Sequence, residues 1–236
     1  MNSHAPLTVC AAPAPTAARP FMGLTILVVE DSRYASEAVR LLCLRSGARI
    51  RRADSLTAAR RHLGVYRPAV LIVDLGLPDG DGAALIRSVA HAQPRIPAIL
   101  AMSGDPGRPE EAAAAGADSF LAKPLDSLVT FQQAVLAQLP PERRPVRLIE
   151  AQPEDVRPGG DAYHDDMAHA AALIENETGD AALDYLVQFL GGVARSAADA
   201  PLADATDALA AARREGRAAR ADLARIAGMV QERLAG

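Results

Sequence analysis

Five side chains that can take part in polar chemistry follow four short apolar segments of the chain. Glu30 and Asp31 follow the first segment, Asp74 the second, Ser103 the third and Lys123 the fourth. Lys123 is also the only lysine among 25 basic residues. A compact ammonium on a flexible stem differs chemically from the planar guanidinium used elsewhere, so this position is a candidate functional residue.

Three carboxylates in one crevice repel one another, and a cation between them relieves that repulsion. An all-oxygen ligand set of Glu30, Asp31 and Asp74 suits Mg²⁺ best, with Mn²⁺ as a substitute. A metal and the Lys123 ammonium around one carboxylate also suit a phosphoryl group, because both can neutralise its oxygens while the carboxylate attacks in line. Asp74 is the candidate nucleophile, since its segment is predicted to lie mid-sheet.

The residues between these positions predict alternating strands and helices. Short apolar runs predict strands, and helical spacing of apolar residues predicts the segments between them. Strands are predicted at 24–29, 48–53, 69–73, 96–102 and 118–122, and helices at 33–45, 55–63, 83–91, 109–115 and 127–139. Such alternation favours an α/β fold with a parallel sheet, the Arg-rich second strand lying at an edge. Ligands of such sheets bind at the carboxyl ends of the strands, where all five side chains would meet.

Four motifs in this order resemble the receiver domain of two-component response regulators. They are Val28-Val29-Glu30-Asp31-Ser32, the run from Asp74-Leu75-Gly76 to Gly82, Ser103, and Lys123-Pro124. The resemblance covers residues 22–140 and implies a flavodoxin-like (βα)5 fold with a five-stranded parallel sheet. It implies a phosphoryl donor, either a sensor histidine kinase or a histidine phosphotransfer protein. It also implies a cis Lys123–Pro124 bond and no enzyme activity beyond self-catalysed phosphorylation and dephosphorylation.

The resemblance assigns a role to seven residues of this chain. Asp74 is the phosphoacceptor, and Lys123 and Ser103 contact the phosphoryl group. Phe120 is the aromatic switch residue. The ligands of Mg²⁺ are Glu30, Asp31, Asp74 and the backbone carbonyl of Gly76.

The rest of the chain divides into three segments. Residues 1–21 are Ala/Pro-rich and lack the features of a signal peptide, which predicts disorder, with Met22 as an alternative start. Residues 141–160 hold repeated Pro and a Gly pair, which predicts a linker. Residues 161–236 show no strand pattern and predict an all-α helical bundle that serves as an output or interaction module. Its helices are predicted at 162–175, 180–197, 201–214 and 218–234.

Charge and composition favour some function classes over others. The net charge is -4, and the residues after 140 carry more Asp and Glu than Arg, so we expect no nucleic-acid binding. We expect no membrane span, because no apolar run approaches the length of about 20 residues that a bilayer requires. The only two cysteines, Cys10 and Cys43, fit a reducing compartment, and we expect the protein to be cytoplasmic. Its output is then expected to be contact with a downstream protein, and a homodimer is left open.

Two other functions remain open. The tail would be catalytic, as a phosphorelay intermediate or a kinase-directed phosphatase, if His164, His169 or Glu175 were essential for turnover. A DNA-binding transcription regulator is the less favoured alternative, because no basic recognition helix is visible in the tail. Each acidic residue alone is also compatible with a solvated loop end. The argument for a site rests on their joint position after separate strands.

Overall fold

A computed structural model describes residues 14–144, 157–176 and 179–235. Its main sheet has five parallel strands in the order β2-β1-β3-β6-β7. These are β1 Thr25–Val29, β2 Arg49–Ala53, β3 Val70–Asp74, β6 Ala98–Ser103 and β7 Ser119–Ala122. The predicted fold class is confirmed, with the Arg-rich strand β2 at one edge. A small antiparallel hairpin of β4 Gly76–Leu77 and β5 Gly80–Asp81, which the sequence patterns did not predict, follows β3 directly.

Five helices cover the two faces of this sheet. They are α1 Arg33–Arg45, α2 Leu56–Val65, α3 Gly82–Ala90, α4 Pro109–Ala115 and α5 Leu128–Gln138. Successive strand residues point to opposite faces, so Ile26 joins a core with α1 and α5, whereas Leu27 joins a second core with α2, α3 and α4. Both side chains are fully buried. Burial on both faces explains why the central strands are continuously apolar.

Local side-chain chemistry sets the beginning and the end of these helices. Ser32, Ser55, Asp81 and Ser127 each accept a hydrogen bond from a first-turn backbone N–H and so cap α1, α2, α3 and α5. Gly116 ends α4 at φ 97°, a conformation that glycine adopts without steric cost. These caps fix where each helix leaves the carboxyl edge of the sheet.

The N-terminal segment is ordered at its end, which corrects the prediction of disorder through residue 21. Phe21 is fully buried and meets the ring of Phe131 edge-on, with centroids 5.8 Å apart. Its backbone N–H donates to the Ser46 carbonyl oxygen at 2.8 Å. One aromatic side chain inserted into the core is enough to order a segment that has no periodic pattern. Residues 1–13 lie outside the described part of the chain.

Four helices form the C-terminal part, as predicted. They are α6 Gly160–Asn176, α7 Asp180–Ser196, α8 Ala200–Arg214 and α9 Arg220–Ala235. Each helix packs against two neighbours in the ring α6-α7-α8-α9. A core of its own joins them and includes Met167, Leu190, Leu209 and Val230. Part of the predicted linker, residues 145–156, lies outside the described part.

No helix within the described ranges is long and apolar enough to cross a membrane.

Candidate functional site

The carboxyl edge of the sheet gathers three carboxylates. Glu30 and Asp31 directly follow β1, and Asp74 is the last residue of β3. One ligand oxygen from each lies within 4.8 Å of the other two. They meet because β1 and β3 are parallel neighbours in register from Ile26–Val70 to Val29–Val73. Glu30 and Asp74 are buried, whereas Asp31 is partly exposed.

Lys123 supplies the positive charge at this cluster. Its Nζ lies 2.7 Å from Glu30 Oε2 and 2.9 Å from Asp74 Oδ2, and its side chain is 6% exposed. Burial alone would lower the pKa of Lys123, but the carboxylates of Asp74 and Glu30 hold it well above its ordinary value. Lys123 therefore remains an ammonium at neutral pH. The Lys123–Pro124 bond is cis, as the resemblance implies.

One ammonium does not balance three carboxylates. Burial raises the pKa of Glu30 well above its ordinary value, with Lys123 opposing the change and Asp74 adding to it. Burial, followed by repulsion from Asp74, raises the pKa of Asp31 to about 6. The folded protein thus holds these acids in surroundings that disfavour their charged forms. An oxygen-only cluster with excess negative charge fits a hard divalent cation such as Mg²⁺.

The remaining predicted residues lie at or near this edge. Ser103 ends β6, is buried, and accepts a hydrogen bond at Oγ from the Asp105 N–H at 3.0 Å. Gly76, in β4, lines the same cleft as Asp74. Phe120 lies in β7, half-buried, and packs against the core that contains α3 and α4. The structure therefore places Ser103 and Gly76 beside the acids. Phe120 lies two strands from β3, on the face of the sheet toward α4.

The C-terminal helices contact this edge directly, which sequence patterns did not predict. Tyr185 of α7 donates from Oη to Asp31 Oδ2 at 2.5 Å. Gln188, one turn further along α7, lies over Gly76: a Cβ built on that glycine would lie 1.7 Å from Gln188 Nε2. The helical periodicity of α7 places Tyr185 and Gln188 off its apolar face. No local sequence pattern indicates that the face of α7 with Tyr185 and Gln188 contacts the edge of the sheet.

Asp166 of α6 attaches the bundle at a second point. Its carboxylate accepts hydrogen bonds from Ser32 Oγ at 2.8 Å, from the Arg33 N–H at 2.7 Å and from the Tyr34 N–H at 3.0 Å. It is 1% exposed. A carboxylate at the N-terminus of α1 satisfies orphan donors of the first turn. Burial raises the pKa of Asp166, and these hydrogen bonds oppose the rise.

A cleft of about 960 Å³ is lined by the acidic cluster and by residues of α7 and α8. Its walls carry four arginines, Arg108, Arg195, Arg213 and Arg214. Three of these also pair with nearby acids. Guanidinium groups around a concave opening raise the local concentration of anions such as phosphates. The edge of the sheet is therefore open to small anions, although α6 and α7 lie across part of it.

The residues proposed for a catalytic tail lie elsewhere. His164, His169 and Glu175 are exposed, and none of them lines this cleft. The His169 ring instead contacts the Phe189 ring edge-on, with centroids 5.1 Å apart.

Comparison with known proteins identifies part of the chain. Residues 26–134 match the family model of the response regulator receiver domain. The virulence transcriptional regulatory protein PhoP of Salmonella typhimurium is 28% identical over 116 residues, which is 48% of this chain and 52% of PhoP. The KDP operon transcriptional regulatory protein KdpE of Escherichia coli is 31% identical over 99 residues, which is 42% of this chain and 44% of KdpE. The chain thus spans about half the length of the curated relatives it matches.

A solved structure is also similar. The signal receiver domain of a signal transduction histidine kinase from Syntrophus aciditrophicus is 28% identical, with a TM-score of 0.44. The similarity covers 49% of this chain and 89% of that one. The match to the family model and the parallel sheet with its acidic edge agree on the same residues. Residues 26–134 are therefore a response regulator receiver domain.

Proposed function

We propose that this protein is a two-component response regulator that accepts a phosphoryl group on Asp74. The donor is the phosphohistidine of a sensor histidine kinase or of a histidine phosphotransfer protein. The observation that carries the proposal is the environment of Asp74, whose carboxylate contacts the Lys123 ammonium and lies within 4.8 Å of ligand atoms of Glu30 and Asp31. A nucleophile with a cation on one side and metal ligands on the other suits phosphoryl transfer.

The residues present fit a divalent cation. Glu30, Asp31, Asp74 and the backbone carbonyl of Gly76 are proposed to hold Mg²⁺, with Mn²⁺ as a substitute. When bound, the metal neutralises charge on the phosphoryl oxygens.

The chain's own residues then perform the transfer. An oxygen of Asp74 attacks phosphorus, an acyl phosphate bond forms, and the bond from phosphorus to the donor nitrogen breaks. The electron pair of the broken bond stays on the donor imidazole. Lys123 neutralises developing negative charge, and Ser103 donates from its hydroxyl to a phosphoryl oxygen. No activity beyond phosphorylation and dephosphorylation of Asp74 itself is proposed.

The signal is proposed to pass from the receiver, residues 22–140, through the linker at 141–160 to the helical module at 161–236. The new charge on Asp74 draws Ser103 inward and Phe120 follows, which favours a second arrangement of the nearby surface. The contact of α6 and α7 with the site supports this route, because any change at Asp74 occurs next to Tyr185. The output is contact with a downstream protein in the cytoplasm, without nucleic-acid binding.

Phosphorylation with a small acyl phosphate donor tests this proposal. The purified full chain is incubated with acetyl phosphate and Mg²⁺ and its intact mass is measured. We expect one phosphoryl group on the wild type, and none after chelation of Mg²⁺ or in Asp74→Asn. Equal labelling of Asp74→Asn contradicts the proposal. Alanine substitution of His164 and His169 is the matched control, and it leaves labelling unchanged because neither residue lines the cleft.

A further inference from the structure

A glutamine of the C-terminal module lies at the mouth of the receiver site. A Cβ built on Gly76 would lie 1.7 Å from Gln188 Nε2, 2.4 Å from Cδ and 3.1 Å from Oε1. The amide therefore occupies the space into which any larger residue at position 76 would project. Gln188 and Asp74 line the same cleft. The amide fits at this position because Gly76 has no side chain.

Other contacts of α6 and α7 hold the helix that carries this amide in place. Tyr185, one turn before it on α7, donates to Asp31 Oδ2 at 2.5 Å. Asp166 attaches the neighbouring helix α6 to the first turn of α1 through three hydrogen bonds. The apolar side of α7, including Leu186 and Leu190, is buried in the core of the bundle. The helix that carries Gln188 is therefore held close to the site.

A carboxamide at this position has a limited chemical repertoire. It offers one acceptor oxygen and two N–H donors, it is neutral, and it does not take up a phosphoryl group as histidine does. A neutral amide does not repel a phosphorylated aspartate, and it can hold a water molecule by accepting a hydrogen bond from it. Positioning of the attacking water by a glutamine is an established device in phosphoryl transfer to water.

Besides the amide, the cleft provides space for the reactants and a guanidinium group. Its volume of about 960 Å³ admits water and a phosphate ion. Arg195, two turns beyond Gln188 on α7, lies next to Gly104: a Cβ built there would be 3.5 Å from Arg195 Nη2. Its Nε is buried and has no hydrogen-bond partner among the described residues. A guanidinium with an unused donor next to Gly104 is suited to phosphoryl oxygens.

We propose that Gln188 is a catalytic residue for hydrolysis of the aspartyl phosphate on Asp74, so that the C-terminal module is a phosphatase for its own receiver. The inference rests on the proposed function. Gln188 Oε1 accepts a hydrogen bond from a water whose oxygen attacks phosphorus. The bond from phosphorus to the Asp74 oxygen breaks, the carboxylate leaves with the electron pair, and the water's second proton passes to the phosphate product or to solvent. The products are inorganic phosphate and the free receiver.

The test measures decay of the phosphorylated full chain. The protein is labelled with acetyl phosphate and Mg²⁺, the donor is removed by rapid desalting, and both the remaining aspartyl phosphate and the released inorganic phosphate are followed. Gln188→Ala removes the amide, and Gln188→Met keeps most of the length without it. Because Gln188 is exposed to the cleft, neither change affects the bundle core. Gln231→Ala, at an exposed glutamine of α9, is the matched control.

We expect both Gln188 variants to decay at least tenfold more slowly than the wild type, with phosphate release slowed by the same factor, and Gln231→Ala to match the wild type. Unchanged decay in the Gln188 variants overturns this inference and leaves the proposed function standing. Faster decay also overturns it, since the amide would then shield the acyl phosphate from water. If no variant is labelled and the wild type releases no phosphate from acetyl phosphate, the proposed function fails and this inference fails with it.

Discussion

The substitution Asp166→Ala tests how the helical module is attached to the receiver. The buried carboxylate accepts three hydrogen bonds, from Ser32 Oγ and from the N–H groups of Arg33 and Tyr34. Hydrogen bonds to charged groups contribute a net stabilisation of about 1.5–3 kcal/mol each. Burial of the charge opposes this gain, as the raised pKa of Asp166 indicates. We therefore expect a loss of about 2–4 kcal/mol, equivalent to one or two of the three bonds.

Urea denaturation followed by circular dichroism measures this loss as a change in the free energy of unfolding. Asp165→Ala is the matched control, because Asp165 is the neighbouring residue on α6 and is exposed. Its effect should stay within about 0.5 kcal/mol, as for most surface substitutions. Asp166→Asn should lose most of the same stability, because its NH₂ group cannot accept from a backbone N–H. A loss below about 1 kcal/mol in Asp166→Ala would refute the argument that this carboxylate anchors the module.

Three further predictions concern the acidic cluster. Lys123→Met removes the ammonium between Glu30 and Asp74, so the metal-free protein should lose about 3–5 kcal/mol of stability in urea denaturation with a chelator. Mg²⁺ should restore part of this loss, and equal stability of variant and wild type without metal would contradict the geometry. Because burial raises the pKa of Asp31 to about 6, protons compete with Mg²⁺, and calorimetry should show its affinity falling as pH drops below about 6. In metal-free protein, Asp31 binds its proton more tightly in the folded state than in the unfolded state. Its contribution to the free energy of unfolding should therefore fall as pH rises from about 4 to 6. Asp31→Asn lacks this contribution, so its free energy of unfolding should rise over that range relative to the wild type, and the same pH dependence in both proteins would contradict the sign.

Sequence patterns predicted the receiver elements closely because the local signals agree with one another. The bounds predicted for α1 and α4 are those observed, and Ser32 and Gly116 mark a beginning and an end by cap chemistry. The small hairpin after β3 was not predicted, because its strands have only two residues each and are too short to show an alternating pattern. The burial of Phe21 was not predicted, because a single buried aromatic residue produces no periodic pattern in an Ala/Pro-rich segment.

The site was predictable to the extent that topology alone determines it. Parallel strands bring their carboxyl ends to one edge, so Glu30, Asp31 and Asp74 meet wherever the sheet forms. The roles assigned to these residues stay predictions until they are tested. The contact between Tyr185 and Asp31 joins residues 154 positions apart, and it depends on how the bundle docks. A helix that buries one face gives no sign in its sequence of what its other face contacts.

Docking of the module also bears on which donors reach Asp74. The cleft admits a small acyl phosphate, whereas a protein donor has to present a histidine at an edge partly covered by α6 and α7. Binding of such a donor then competes with the contacts of Asp166 and Tyr185. Under the proposed function, a more stably docked module leaves a kinase less access to Asp74.

The chemistry of the bond formed on phosphorylation tests the central claim most directly. The full chain is labelled by a phosphorylated histidine donor with Mg²⁺, the label's stability is measured in acid and in alkali, and the labelled peptide is mapped. An acyl phosphate on Asp74 predicts a label that alkali removes, that persists longer in acid, and that is absent from Asp74→Asn. A label that is stable in alkali and lost in acid, mapped to His164 or His169, would contradict the account and make the protein a relay.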